Sequence, residues 1–421
     1  MRVRRWEPAE LELTGTAAVA VQFVHDRVRA VAEPFRSGDR LLARFAPGVV
    51  GRWTYTIMDS AGPPIGEGTL DCEPEPAGDH GPVGVLGTRF AHADGTPHLP
   101  LPTNLLDWHR RPDAGHTLGL LRESPITAVR LSVLDPERVD WPDDAELDRV
   151  EWAVTALAEI GRRAELVLFG DGRALNRDGW REHLRRVVSR FAGFRTVAWC
   201  LAVDADRAGV EPALWREALD LLAEHDHGHR PCTVHAGLGF DFGDPRISYA
   251  SVRTDHARSS STLTDDFAKP AVLDGLVEGD APDLDGSRTA EAVVLYAWET
   301  AVRGGFPTHA ERWVDGGGPR GEALPRLSFL HEILAALPGS ASYLRLRPDA
   351  STLGVPDEVY LQYLGAHRFR SRSFDLPDGP YRVEVIDTWS MTVEEVLRTD
   401  SGSFTVQLEP RLYYAIRATR C

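Results

Sequence analysis

The distribution of apolar and polar residues divides the chain into three parts. Over residues 1–85, short runs alternate apolar with polar positions and are bounded by Gly and Pro, as in "DRLLARFAP" and "GRWTYTIMD". An alternation with a period of two is typical of half-buried antiparallel strands. The pattern therefore predicts an N-terminal antiparallel β-sandwich over residues 1–85.

The pattern changes over residues 86–338, where short apolar runs alternate with longer amphipathic segments. The runs predict eight strands: "HLPLPTN", "AVRLSVL", "AELVLFG", "TVAWCLAVD", "CTVHAG", "RISYASVR", "PAVLDGL" and "GFPTHA". Segments such as "DAELDRVEWAVTALAEIGRR" predict helices between them. Eight strands over about 250 residues match a TIM (β/α)8 barrel, so the predicted fold class is α/β. After "LPGSAS" strand patterns return, which predicts a C-terminal antiparallel β-sandwich over residues 339–421.

Composition and charge narrow the classes of function. The chain has 421 residues and a formal net charge of −16, and an acidic surface repels phosphate backbones, so we expect no nucleic-acid partner. Four widely spaced cysteines and the histidines of "EHDHGHRP" lack metal-ligand spacing, and "DGGGPRG" lacks the Lys-Ser/Thr pair of a phosphate loop. We therefore expect neither a metal nor a cofactor. Since no apolar run reaches the roughly 20 residues that cross a bilayer and the start lacks a secretion signal, we expect a cytoplasmic protein without a membrane partner.

The carboxyl ends of the strands, which form the mouth of a TIM barrel, build its active site. In this chain they are rich in acidic, aromatic and basic residues, which suits a polyol or a sugar. The predicted substrate-binding residues are Asp107, Trp108, Arg130, Asp171, Asp206, His235, Tyr249, His309, Trp313 and Glu322. Acidic residues at strand ends are also common as helix caps, so each has an ordinary structural alternative.

Several segments resemble a family of bacterial candidate glycoside hydrolases. The resemblance is carried by "GRWTYTIMDSAG", "LVLFGDG", "HRPCTVHA", "VRGGFPTHAE", "GEALPRLSFLHEIL" and "YRVEVIDTWSMTV", and it covers nearly the whole chain. Members of this family join an N-terminal β-sandwich, an apiosidase-like barrel and a C-terminal β domain, the outer two of unknown function. The resemblance implies a carbohydrate or glycoside ligand. His235 keeps a family histidine, whereas Tyr249 stands where the family's strand-six histidine would be.

The chain departs from this family at both catalytic motifs. The family's Asn-Glu pair after strand four, in a stretch like "LANEYD", corresponds here to Val203 and Asp204. Its strand-seven motif, similar to "DECxYEGD", corresponds to Asp274 and Gly275, with Glu278 retained. The resemblance thus implies an acid/base position shortened by one methylene at Asp204 and a vacant nucleophile position at Gly275.

Three functions stay open, and with them the question whether the protein is an enzyme. The first is a catalytically degenerate homologue, a pseudoenzyme that binds carbohydrate without cleaving it; the loss of both expected Glu residues favours it. The second is an active, inverting O-glycosyl hydrolase that uses Asp204 with a relocated base such as Glu278, Asp206 or Glu311, because inversion needs no nucleophile. The third is a structural or interaction scaffold. Neither the sugar and its linkage nor the oligomeric state follows from the residues.

Three further expectations concern the site. One pocket at the barrel mouth should hold Asp204, His235, Tyr249, His309 and Glu311, since each ends a different predicted strand. The missing side chain at Gly275 should open space for a bulkier ligand. Trp389, in "IDTWSMT", should be structural and pack between the C-terminal sandwich and another domain.

Overall fold

The computed structural model describes residues 1–14, 18–60, 63–275, 277–278, 287–309, 321–347 and 350–421. The first strands are β1 (Arg2–Arg4), β2 (Ala9–Glu12), β3 (Ala18–His25), β4 (Val28–Ala32), β5 (Phe35–Ser37), β6 (Arg40–Phe45), β7 (Gly51–Asp59) and β8 (Pro64–Glu73). They form one sheet in the order β1-β8-β7-β3-β4 and another in the order β2-β6-β5. Phe23 and Trp53 of the first sheet share a buried core with Leu11 and Phe45 of the second. All pairings are antiparallel except that β1 runs parallel to β8.

A small antiparallel sheet follows and consists of β9 (Val83–Leu86), β10 (Arg89–His92) and β11 (Pro97–His98). Parallel strands then begin: β12 (Pro102–Asn104), β13 (Ala128–Ser132), β14 (Arg163–Val167), β15 (Val197–Cys200), β16 (Cys232–Thr233), β17 (His235–Gly237), β18 (Ala250–Arg253), β19 (Ala271–Asp274), the short pair β20 (Val277–Glu278) and β21 (Ser287–Arg288), and β22 (Phe306–Pro307). Every residue of β13 and β15 is buried, as expected for strands covered on both faces.

The parallel strands pair in the orders β12-β13-β14-β15-β16 and β17-β18-β19-β22. Only Val234 separates β16 from β17, and Thr103 of β12 pairs with His309, just beyond β22. The pairings therefore lead from the first parallel strand to the last and back to the first. This is a TIM-barrel-type α/β arrangement, as the alternation of apolar runs and amphipathic segments predicted.

The helices are α1 (Ala114–Glu123), α2 (Asp144–Glu159), α3 (Trp180–Phe191), α4 (Pro212–His225), α5 (Ser259–Phe267), α6 (Ala290–Val302) and α7 (Ala323–Ala335). Sequence determines their starts and buried faces. In α2, Asp143 and Glu146 form a reciprocal capping box, and Leu147, Val150 and Val154 are buried at helical spacing. Residues 238–249, between β17 and β18, form no helix. Among the residues described, no helix has both the length and the apolar character needed to cross a membrane.

The C-terminal strands are β23 (Ser342–Arg347), β24 (Ala350–Val355), β25 (Val359–Tyr363), β26 (Ser371–Asp375), β27 (Tyr381–Asp387), β28 (Thr392–Thr399), β29 (Ser403–Gln407) and β30 (Tyr414–Arg420). Six of them form a sheet in the order β23-β24-β25-β30-β27-β28, and β26 pairs with β29. Tyr381 and Val383 of the larger sheet share a buried core with Phe374 and Phe404 of the smaller one.

Aromatic contacts join the C-terminal strands to the helices of the barrel. Tyr363 of β25 stacks on Trp298 of α6, with ring centroids 5.3 Å apart. The guanidinium of Arg326, on α7, lies 3.7 Å from the ring centroid of Trp389, and its Nε donates to the Trp389 carbonyl at 2.9 Å. Trp389 therefore packs between the C-terminal strands and α7, as expected from the sequence.

Candidate functional site

Charged and polar side chains from several parallel strands meet where these strands end. They are Asn104 of β12, Arg130 of β13, Asp204 and Asp206 after β15, His235 of β17, Ser251 and Arg253 of β18, and Asp274 of β19. We call these eight residues the mouth cluster. Their contacts, given below, connect all of them into one network.

Asp204 begins a left-handed turn after β15, with φ 52°. Its N–H donates to Nδ1 of His235 at 3.2 Å, and its carboxylate pairs with the guanidinium of Arg253. The same guanidinium lies 3.1 Å from Oδ2 of Asp206, whose other oxygen accepts the Gly237 N–H at 2.9 Å. Arg253 therefore holds both carboxylates in place as hydrogen-bond acceptors, whereas a general acid must donate a proton.

The imidazole of His235 lies between two carboxylates. Because Nδ1 accepts the Asp204 N–H, the proton of the neutral ring is on Nε2. Nε2 is buried without a hydrogen-bond partner, and Oδ2 of Asp274 is 3.6 Å away, beyond hydrogen-bonding distance. Burial, and to a lesser extent Arg130, lowers the pKa of His235, so the ring is neutral near pH 7. The Nε2–H donor and the Asp274 carboxylate therefore lie side by side without a hydrogen bond between them.

The floor of the mouth cluster is a buried ion network. The Asp274 carboxylate accepts a hydrogen bond from the Asn104 amide and lies 3.6 Å from Nη1 of Arg130. Arg130 is only 3% exposed; it pairs with Glu165 of β14 and donates to Oγ of Ser251 at 2.8 Å. A buried guanidinium needs such partners, so this network fixes the position of Asp274. Glu165 was not predicted, although an acidic residue inside the apolar run "AELVLFG" is a signal for a buried ion pair.

Tyr249 lies below the mouth cluster and contacts the ion network of its floor. It precedes Arg253 by four residues, which is about 13 Å along an extended strand, toward the amino-terminal end of the barrel. Its hydroxyl donates to Glu165, and its ring packs edge-to-face on Phe90 of β10, with centroids 5.2 Å apart. Tyr249 is 2% exposed, and burial, with the nearby Glu165, raises the pKa of its phenol well above the usual value. The strand-six residues that reach the mouth are Ser251 and Arg253.

The position of Gly275 is closed rather than open. A Cβ at this position would lie far inside 3.0 Å of the Thr254 carbonyl, a separation that real Cβ atoms essentially never show. The carbonyl is held there because it accepts the Tyr296 hydroxyl of α6 at 2.6 Å, while the Thr254 N–H donates to the Asp274 carbonyl at 3.1 Å. The expected space for a bulkier ligand is therefore wrong: the backbone after β18 fills it. Thr254 acts through its backbone, so its side chain gave no signal in the sequence.

Glu278 contributes a helix cap. It is 7% exposed, and its carboxylate accepts the N–H of Glu322 at 2.7 Å and that of Ala323 at 3.1 Å, at the start of α7. A carboxylate at this place satisfies N–H groups that have no partner within the helix and complements the helix dipole. Both carboxylate oxygens are used, so the structure does not present Glu278 as the base of the mouth cluster. Glu322 is exposed and makes these contacts through its backbone.

Three other predicted residues lie outside the mouth cluster. Trp108 is 2% exposed and packs against Trp152 of α2, with centroids 5.6 Å apart. Asp107 and Asp171 are partly exposed, and each pairs with an arginine a few residues further along the chain. Aromatic and acidic residues after a strand are equally suited to the core and to loop contacts, so their type alone did not locate them.

The last strand contributes His309, which is fully buried with Nδ1 3.5 Å from Oγ1 of Thr103. It lies where the last parallel strand meets the first. Glu311 and Trp313, also predicted for the site, lie outside the described residues. Within the described residues, no group of three or more His, Cys, Asp or Glu side chains could hold a metal ion.

Comparisons with known proteins agree with this architecture. A family model described as a domain of unknown function, DUF5605, matches residues 349–419, within the C-terminal strands. No curated protein matches the chain. Among solved structures, a candidate glycoside hydrolase from Bacteroides vulgatus has a TM-score of 0.87 at 23% sequence identity, over 100% of both chains.

More distant structures share the same fold. A glycoside hydrolase of family 5 from Bacteroides vulgatus has a TM-score of 0.67 at 11% identity, over 81% of this chain and 93% of its own. A candidate α-galactosidase from Bacteroides fragilis has a TM-score of 0.51 at 12% identity, over 100% of this chain and 96% of its own. The chain therefore has a fold found in glycoside hydrolases, a TIM-barrel-type α/β fold with a β-rich C-terminal region.

Proposed function

We propose that the mouth cluster binds a carbohydrate and does not hydrolyse it by the two-carboxylate mechanism. The proposal includes a closed (β/α)8 barrel over residues 86–338, of the apiosidase-like lineage, between an N-terminal β-sandwich over residues 1–85 and a C-terminal one over residues 339–421. The observation that carries it is the Thr254 carbonyl in the place of a side chain at Gly275.

The closed position at Gly275 removes one of the two catalytic groups. A retaining glycosidase forms a covalent intermediate on a carboxylate, and a residue without a side chain offers none. The Thr254 carbonyl accepts the Tyr296 hydroxyl, and the Thr254 N–H donates to the Asp274 carbonyl. These two hydrogen bonds hold the backbone of Thr254 against Gly275, so the loop has no space for a carboxylate side chain there.

The second catalytic position is also unsuited to its role. Asp204 is shorter than Glu by one methylene, which shortens its reach by about 1.5 Å, and misplacement near 1 Å can cost about 10²-fold in rate. Its carboxylate is also committed to Arg253. Protonating it would break this ion pair, which opposes a role as general acid.

The same cluster is suited to binding hydroxyl groups. His235 offers a buried Nε2–H without a partner, and Asp274 offers a carboxylate oxygen 3.6 Å away. A sugar hydroxyl can accept from the first and donate to the second, which satisfies a buried donor that is otherwise unpaired. A few fixed polar groups of this kind give a pocket its specificity.

One observation favours an inverting glycosidase as the second candidate function. Asp204 and Asp274 lie at the two nitrogens of the His235 ring, 3.7 Å from Nδ1 and 3.6 Å from Nε2. Two carboxylates about 6.5–9.5 Å apart are the arrangement of inverting enzymes. An inverting mechanism would require the Asp204 carboxylate to break its ion pair with Arg253 when substrate binds.

The experiment is a glycan array read together with product release from aryl glycosides. Wild type is expected to retain a glycan and to release no product. Asp274→Asn should weaken binding at least about tenfold, because it removes the charged acceptor beside His235. Asp400→Asn, at an exposed position just after β28, is the matched control and should bind like wild type. Product release that Asp204→Asn and Asp274→Asn both abolish would establish the inverting alternative, and a failure to bind any glycan would favour a scaffold.

A further inference from the structure

A cavity of about 500 Å³ lies at the end of the barrel opposite the mouth cluster. Its wall includes Leu101, Thr127 and Gly305, which directly precede β12, β13 and β22, and is completed by Leu327 and Leu330 of α7. Its location is therefore the amino-terminal end of the parallel strands. A ligand in this cavity would not reach Asp204 or His235, so the two sites are separate.

The cavity opens to solvent beside the exposed residues Pro97, Pro338 and Gly339, so it is a pocket of the surface and not a void in the core. Ligand pockets have volumes of about 300–1,000 Å³. A cavity of this size, formed where α7, the β9–β11 sheet and the barrel strands meet, is therefore in the range of a binding site.

The lining of the cavity is mainly hydrocarbon. Phe90, Phe306, Leu330 and Leu353 contribute side chains from four different elements. An apolar cavity of this kind does not hold ordered water well, because water needs two to four polar partners, and it takes up apolar molecules instead. The wall also includes Arg89, whose guanidinium donates to the Gly339 carbonyl. The lining therefore suits an apolar molecule better than a sugar, many of whose hydroxyl groups would lack partners.

Among the buried polar side-chain atoms of the described residues in the wall, one has no hydrogen-bond partner. Nε2 of His98 is buried and makes no hydrogen bond, whereas Nε2 of His331 is 3.2 Å from the Leu99 carbonyl. Burial, with the nearby charge of Arg163, lowers the pKa of His98 to about 3, so its ring is neutral at neutral pH. A neutral imidazole forms a hydrogen bond without supplying a charge to balance an ionised ligand.

We propose that this cavity binds an uncharged, mainly apolar molecule with one hydrogen-bonding group, of the class of a medium-chain alcohol, whose polar group meets Nε2 of His98. The apolar wall supplies most of the affinity, since each buried methylene contributes about 0.8 kcal/mol. The hydrogen bond to His98 orients the molecule, because only one end of it can satisfy the imidazole.

The test is the binding of 1-decanol, measured by displacement of the neutral fluorescent probe N-phenyl-1-naphthylamine. Wild type should bind the probe and release it to 1-decanol. Leu330→Trp places a larger ring in the cavity and should weaken both ligands at least about tenfold. Leu238→Trp, at an exposed leucine outside the cavity, is the matched control and should bind like wild type. His98→Phe keeps the volume of the ring and should weaken 1-decanol about 5- to 10-fold, since it removes one hydrogen bond, while the affinity for decane, which has no hydrogen-bonding group, should not change.

Ala301→Leu is a second cavity-filling variant, in case Leu330→Trp does not fold, which thermal unfolding followed by circular dichroism would reveal. Ala301 is buried in α6 and lines the same cavity, so its replacement should also weaken both ligands. Absence of 1-decanol binding to wild type, or equal binding by wild type and a folded cavity-filling variant, would overturn the proposal. Equal 1-decanol affinity of wild type and His98→Phe would overturn the role of His98.

Discussion

At Gly275 a backbone contact has taken the place that a side chain would occupy. The contact involves the Thr254 carbonyl, which is fixed by Tyr296, so any larger residue must move the loop after β18. This changes what a repair by mutation can achieve. A carboxylate at residue 275 would have neither space nor a partner. The combined change Val203→Asn, Asp204→Glu and Gly275→Glu, which would restore both family motifs, would meet the same obstruction.

We predict that Gly275→Ala lowers the free energy of unfolding by at least about 2 kcal/mol, because overpacking adds to the loss of the Tyr296 hydrogen bond. Gly239→Ala is the control, since a Cβ there meets nothing within 4 Å, and it should change stability by less than about 0.5 kcal/mol. Denaturant unfolding of both variants is the measurement. Gly275→Glu should show no glycosidase activity. Equal free energies of unfolding for the two alanine variants would show that the loop at Thr254 shifts at little energetic cost.

The buried histidines predict how stability changes with pH. Neither ring nitrogen of His109 has a hydrogen-bond partner, and burial, with the nearby charge of Arg110, lowers the pKa of His109 to about 3. Its pKa in the unfolded chain is about 6.5. Between these values the unfolded state binds a proton that the folded state does not. The folded state is therefore favoured fully above about pH 6.5 and loses stability as the pH falls.

His109→Phe should reduce the stability lost between pH 7 and pH 5 by about 2 kcal/mol, because phenylalanine has no proton to bind. His116→Gln, at an exposed position of α1, should leave the pH dependence unchanged. Thermal or denaturant unfolding at both pH values measures this. An identical pH dependence in wild type and His109→Phe would contradict the assignment of His109 as a buried neutral ring.

Among the elements, α7 depends on a carboxylate from a neighbouring strand. Glu278→Ala should lower the free energy of unfolding by about 1–3 kcal/mol, because the N–H groups of Glu322 and Ala323 lose their acceptor. Glu278→Gln keeps one acceptor oxygen and should cost less. Glu322→Ala, whose side chain is exposed, should be near neutral. Both denaturant unfolding and glycan binding are measured. A Glu278→Ala variant that has normal stability but loses glycan binding would show that Glu278 takes part in the binding site.

The periodicity of apolar residues predicted the helices and strands better than it predicted the residues of the site. Strands covered on both faces are continuous apolar runs, so the parallel strands were visible, and the TIM-barrel-type fold with a β-rich C-terminal region is confirmed. The site depends on contacts between distant segments. Strand ends located Asp204, Asp206 and His235, whereas Tyr249, predicted beside them, lies below the mouth cluster and contacts it through Glu165. The contact between Thr254 and Gly275 joins two loops. It involves backbone atoms only, because Gly275 has no side chain, so no pattern of residue types marks it.

In the whole molecule, the N-terminal strands are anchored to the barrel by Arg44. This residue of β6 is 1% exposed; it pairs with Glu151 of α2 and with Glu10, and its guanidinium lies 4.4 Å from the ring centroid of Phe194. Arg44→Met should lower the free energy of unfolding by about 2–4 kcal/mol, because Glu151 loses a partner at a buried junction. Arg40→Met, on the exposed part of the same strand, should have little effect. Equal denaturant unfolding of the two variants would show that Arg44 does not anchor this part of the chain.

The central claim is that the mouth cluster binds a glycan that it leaves intact. The most direct measurement is mass spectrometry of the glycan recovered from a mixture with the protein, after binding has been shown in the same sample by calorimetry. The account predicts saturable binding, weakened by Asp274→Asn, and full recovery of the intact glycan after prolonged incubation. Cleavage products that form with wild type but not with Asp204→Asn would contradict it, because Asp204 would then be acting as a catalytic acid.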